Sequence, residues 1–196
     1  RTTLGSVGDT ISVASLPEKR YYMVLGDVTA SGYIIYNSRF NSDTGNNYAS
    51  RKSNNGGADA TSTSTSRIDQ TDSGAQVGSF VVGYFTGKSD KTKLWQGNTA
   101  ENSATGAGNA PSRVEAVGKW ANTSDAVSSY QAYNSHSGDY ASGSEVVVLG
   151  WDESDTHTTN FWEQLADVSL SSAGDVLSSG TFTAKKYLWV QAFIDS

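Results

Sequence analysis

The sequence contains no cysteine, two prolines and one methionine. The missing thiols remove disulfides, thiol catalysis and cysteine-based zinc sites together. Charged residues make up only 17% of the 196 positions and hydrophobic residues only 36%. No run of about 18 apolar residues exists, so no membrane span is predicted. Basic residues are few and scattered: 14 Lys and Arg against 20 Asp and Glu, a net charge of −6. Phosphate binding needs clustered Lys and Arg, which argues against nucleic acid as a partner. Helical periodicity is scarce as well. Its best stretch is 160–168, where Phe161, Leu165 and Val168 would share a face for one or two turns. No signal-peptide pattern occurs. The chain starts at Arg1 without a methionine, which suggests a processed product or a window on something longer.

What is present is aromatic and β-forming. Five Trp, ten Tyr and six Phe set the chain apart from a disordered one, which has few aromatics. Strands are predicted at 9–13, 20–28, 33–40, 77–86, 112–120, 126–133, 145–150 and 185–194. Ser31-Gly32 reads as a hairpin turn between the second and third of these, and the segment Ala121-Asn122-Thr123-Ser124 as another hairpin link. Val146-Val147-Val148-Leu149 is apolar throughout, as in a strand buried on both faces. Polar loops are predicted at 41–65, 97–110 and 151–160. About eight strands without helices predict an all-β fold, an antiparallel β-sandwich of jelly-roll type.

The chain also repeats itself. Leu170 stands 166 positions after Leu4, and at that spacing Ser6, Gly8, Asp9, Ser12, Lys19, Tyr21 and Val24 likewise meet identical residues. That is eight identities over residues 1–24 without a gap, with Ile11 opposite Leu177, Leu16 opposite Phe182 and Tyr22 opposite Leu188. The second copy of the 20–28 strand, at 187–194, is apolar on both faces and needs cover on both sides. Three arrangements meet that need: a tandem array with a new unit starting near Asp167, donation of the strands to the sheet of another subunit, or pairing of the two copies within one sandwich. The first two make head-to-tail contacts, which propagate into a filament when no ring closes. The predicted organisation is a unit at 1–166 and, at 167–196, the start of a second copy or donor strands shared with a neighbouring unit. The predicted interface comprises Leu4, Ile11, Val13, Leu170, Leu177, Phe182, Tyr187, Leu188, Trp189, Val190, Phe193 and Ile194.

Four segments carry a resemblance: RFNSDTGNNYA at 39–49, GKWANTS at 118–124, GSEVVVLG at 143–150 and FTAKKYLWVQ at 182–191. Across most of its length the chain resembles jelly-roll-type tandem repeat proteins of aquatic phage virions and environmental extracellular fibrils. The resemblance implies a structural protein in an extracellular filament or virion appendage, and the repeat makes the expected partner the chain itself, in a head-to-tail homopolymer or tandem array. It implies no catalytic residue and no cofactor.

Sites of chemistry are weak. Asn41 and Asp43 sit in a segment faintly like a calcium loop, but an Asx/Gly turn explains it more simply. Asp152 and Asp155, with Glu153 and His157, form an acidic stretch that offers a second weak calcium site but reads more simply as a solvated link before the second copy. Glu101, Glu115, Glu145 and Glu163 supply carboxylates, but no spacing singles out a glycosidase pair. His136, His157 and Ser142 lack a nucleophile elbow around them. The chain is therefore expected not to be an enzyme. Asn122 heads the only N-glycosylation sequon. The rival function is a carbohydrate- or receptor-binding module for surface glycans. Its candidate rings are Tyr33, Tyr36, Trp95, Trp120, Tyr133, Tyr140 and Trp151, most of them expected in the core.

Overall fold

The computed structural model describes residues 1–71, 78–152, 154–155, 165–172 and 174–190. The chain divides into two units, Arg1–Asp155 and Thr156–Ser196. The first is an antiparallel β-sandwich, with no helix among the described residues. Its strands in chain order are β1 (Thr2–Thr3), β2 (Thr10–Val13), β3 (Tyr21–Ser31), β4 (Tyr36–Phe40), β5 (Tyr48–Asn54), β6 (Ala60–Thr65), β7 (Ile68–Asp69), β8 (Gly78–Thr86), β9 (Lys93–Asn102), β10 (Ser112–Trp120), β11 (Tyr130–Asn134), β12 (Asp139–Tyr140) and β13 (Glu145–Trp151). The larger sheet runs β1-β13-β3-β8-β9-β10-β5-β6, with β12 beside the end of β3. The smaller runs β2-β11-β4-β7.

Side-chain alternation decides which face each strand buries. In β9, Lys93, Trp95, Gly97, Thr99 and Glu101 point inward, while Leu94, Gln96, Asn98 and Ala100 point to solvent. The core between the sheets is aromatic. Phe40 meets Phe85 at 4.8 Å, and Tyr130 stacks on both Phe85 and Trp95 at 6.1 and 5.9 Å. Buried hydroxyls need partners. Tyr130 Oη shares hydrogen bonds with Ser38 Oγ at 2.6 Å and Tyr36 Oη at 3.0 Å, and Tyr48 Oη donates to Phe40 O at 3.1 Å.

The large Trp95 ring fits because two glycines face each other beneath it. Gly83 and Gly97 are direct cross-strand partners in β8 and β9. A Cβ on Gly83 would lie 2.0 Å from Trp95 Cη2, and one on Gly97 would lie 2.9 Å from Trp95 Cζ2. The glycine pair is thus a slot for the indole.

The all-β antiparallel sandwich was legible, but its connections differ from expectation. Ser31-Gly32 does not close a hairpin. β3 already pairs with β13 and β8, so the chain crosses to the smaller sheet, carrying Ile34 and Tyr36 into the core. The link at 121–124 likewise crosses between sheets, because both edges of β10 are taken by β9 and β5. Residues 48–65, expected as loop, form the β5–β6 hairpin, and β9 extends to Asn102 inside the second expected loop. Of the expected turns at 160–168, residues 165–168 are not helical and 160–164 lie outside the described residues. Of the expected strand at 185–194, residues 185–190 form no strand, and 191–194 lie outside the described residues.

Candidate functional site

The repeated segment occupies very different settings at its two occurrences. In the first unit it supplies β1, β2 and β3. Leu4 packs against the core edge, while Ile11, Val13, Tyr22 and Val24 are buried. β3 is central: its register runs from Tyr21 opposite Trp151 to Asp27 opposite Glu145 on one side, and from Tyr21 opposite Thr86 to Thr29 opposite Gly78 on the other.

In the second unit no described residue is in a strand, and the equivalent apolar side chains are in water. Leu170 is 48% exposed, Leu177 49%, Leu188 55% and Val190 85%. Phe182 and Trp189 are exposed too, and Tyr187 is half-buried. Soluble surfaces carry isolated apolar residues routinely, but a run spaced like a strand's core face is different. Of the predicted interface, then, Ile11 and Val13 belong to the first unit's own core and Leu4 to its edge. The described C-terminal members other than the half-buried Tyr187 are solvent-facing. Phe193 and Ile194 lie outside the described residues.

A second feature was not anticipated. The outer face of the larger sheet holds a groove of about 760 Å³ whose exposed apolar lining is Tyr21, Tyr84, Leu94 and Val117. Arg51, Gln96, Lys119 and the β6 threonines Thr61 and Thr63 line its polar side. Trp151 stacks on Tyr21 at 5.5 Å, beside the groove. Tyr21, Tyr84, Leu94 and Val117 take outward positions on β3, β8, β9 and β10, four strands that become neighbours only in the folded sheet.

The aromatics expected near a sugar site are mostly structural. Tyr36, Trp95, Trp120 and Tyr140 are buried, and Tyr133 lies beneath the Arg39 guanidinium, 3.6 Å from its ring centroid. Tyr33 and Trp151 are exposed.

The calcium candidates are tied up in turns and ion pairs. Asn41 Oδ1 accepts from the Ser128 and Ser129 amides, and its Nδ2 donates to Ala126 O. Asp43 accepts from the Gly45 amide at 2.7 Å, from Asn47 Nδ2 at 2.9 Å and from the Trp120 indole at 2.7 Å. Burial pushes the Asp43 carboxyl up, but these donors outweigh it and hold its pKa below the ordinary value. Asp152 is paired with Lys88 at 2.8 Å and Asp155 with Lys19. Among the described residues no group of three or more His, Cys, Asp or Glu could hold a metal ion.

Glu101 faces inward from β9 and Glu115 outward from β10, on opposite faces of one sheet. Glu145 accepts from Thr3 Oγ1 at 2.7 Å. Ser142 Oγ donates to Gly5 O, and His136 Nδ1 meets Ser137 Oγ. Glu153, Glu163 and His157 lie outside the described residues. Asn122 uses its amide inside its own turn, donating to Asp125 and accepting from the Ser124 and Asp125 amides. Its carbonyl accepts from the buried Lys93 ammonium at 2.9 Å. No family model, curated protein or solved structure matches the chain.

Proposed function

We propose that the chain is a structural subunit of an extracellular filament or virion appendage, assembled head-to-tail through its terminal strands. One observation carries this reading. The segment that forms β1–β3 of the first sandwich recurs in the second unit with its core-type residues Leu170, Leu177, Leu188 and Val190 exposed to solvent. Apolar surface of that pattern is favourably removed from water. The assembly needs no cofactor. Electron microscopy and light scattering of the native material test it: filaments are expected, lost when residues after Val168 are deleted. A compact monomer in physiological buffer, or filaments that survive the deletion, would overturn it.

The outer groove favours a second reading, a carbohydrate- or receptor-binding module. Tyr21 and Tyr84 present ring surface in a groove that Gln96 and Arg51 also line, and Trp151 stacks on Tyr21 beside it. Rings of this kind offer an apolar body for stacking. Specific binding by the monomer on a glycan array, lost in Tyr84→Ala, supports this reading; silence removes it.

A further inference from the structure

We infer that residues 167–190 are the first three strands of a second sandwich of the same design, completed by that sandwich's own counterparts of β4 to β13. They are not an edge strand lent to an intact copy. The inference rests on the structural reading above and names what covers the exposed segment.

The partners of the retained residues carry the argument. Seven of the eight identities each make at least one defined contact with one stretch of chain in the first copy, beside the pairing of Tyr21 and Val24 with β8. The Leu4 amide donates to Ser144 O, and Gly8 bridges to Tyr140. Asp9 accepts from Asn134, and Ser12 accepts from Gln131. Lys19 pairs with Asp155, Tyr21 stacks on Trp151, and Val24 sits opposite Val148. All these partners lie between Gln131 and Asp155. In the first sandwich they are already engaged by the first copy. Retaining Gly174, Asp175, Ser178 and Lys185 at matching positions is what a segment that meets a second set of such partners requires.

The strand's place in the sheet points the same way. β3 is paired along both edges and covered on its inner face. A copy of it cannot enter an intact sandwich without expelling the original, and that exchange swaps like for like with no net burial. At matching register, Leu188 and Val190 take the inward positions of Tyr22 and Val24, whereas Tyr187 and Trp189 take the outward positions of Tyr21 and Met23. The segment therefore divides into two burial classes within four residues, and the outer face of the second sandwich keeps its aromatic character. One core position departs: Ser179 stands where Val13 is buried.

The test extends the full chain. Ser196 is equivalent to Ala30, so a second copy of residues 31–155 is appended after Ser196, and amide hydrogen exchange is followed. Residues 187–190 are in no strand in the original chain, and their exchange is expected to be slower by on the order of a hundredfold or more in the extended one. Leu188→Asp or Val190→Asp abolishes that protection, while Trp189→Ser retains it. A control chain, residues 1–166 followed by 1–155, shows whether two sandwiches fold in series at all. If the control folds but the extended chain leaves 187–190 unprotected, the inference is overturned. It is also overturned if the unextended chain forms filaments in which 187–190 are protected; that result would leave the structural-subunit reading intact. Failure of the native material to assemble would remove that reading instead.

Discussion

Replacing Gly83 by alanine is the sharpest probe of the core. The new Cβ would stand 2.0 Å from Trp95 Cη2 and 2.2 Å from Cζ2. Ordinary carbon contacts lie at about 3.5–4.0 Å, so the indole would have to move by roughly 1.5 Å. It has little room. Tyr130 and Phe85 stack against the ring at 5.9 and 6.1 Å, and Gly97 closes the same slot from the next strand. Overpacking of this kind costs about 1–3 kcal/mol and sometimes more. Relief of glycine's backbone entropy returns at most about 1 kcal/mol. With overpacking at the upper end of that range, the expected net loss is about 2 kcal/mol, or roughly 4–8 °C in Tm for a unit of this size. Urea unfolding followed by tryptophan fluorescence measures it, with Gly5→Ala as the control, because nothing lies within 4 Å of a Cβ there. In the double variant with Trp95→Leu the two losses should fall short of additive by about 1 kcal/mol or more. A Gly83→Ala chain within about 0.5 kcal/mol of the parent, or strict additivity, would refute the slot.

Asp43→Ala leaves the buried Trp120 indole without its acceptor and should cost about 1–3 kcal/mol at neutral pH. The Asp43 pKa is lowered in the fold, so its contribution is present above the ordinary carboxylate range and fades as pH falls through the folded value. Calorimetry should therefore find the gap between parent and variant narrowing below about pH 4. Burial holds the Tyr130 phenol at about 12, and the Tyr22, Tyr48 and Tyr140 phenols are also pushed up, again chiefly by burial. Their raised values stabilise the fold fully below the unfolded phenol pKa of about 10, and that stability is lost as pH rises through the folded values. An ultraviolet titration should show these four ionising only together with unfolding; early, independent ionisation would contradict the buried hydroxyl network.

The sequence announces the sandwich through its aromatic and β-branched runs, but it hides strands whose inner face is not apolar. β9 buries Lys93, Gly97, Thr99 and Glu101 around a single Trp95, so hydrophobic alternation is faint although geometric alternation is complete. The β5–β6 hairpin is built from Ser, Thr, Arg and Lys, and reads as loop for the same reason. Turn residues at 31–32 and 121–124 mark reversals, yet they cannot say which sheet receives the next strand. That depends on distant strands already holding both edges of β3 and β10. The repeat was fully legible, because identity at fixed spacing needs no fold. Which face of the second copy matches the inward side of β3 required that strand's burial pattern. The outer groove was not legible, since it is assembled from β3, β5, β6, β8, β9 and β10.

The lysine clasps on Asp152 and Asp155 stand where the first sandwich hands the chain onward. In a string of such units, tension entering from the C-terminal side meets these ion pairs first. It then reaches β13, whose seven rungs with β3 bind it to the middle of the larger sheet rather than to a frayed edge. A pull must therefore strip a whole ladder before it can reach the aromatic core. Forced unfolding is governed by that barrier rather than by equilibrium stability. In such a string, the placement of β13 beside β3 would make the C-terminal end of each sandwich a mechanical anchor.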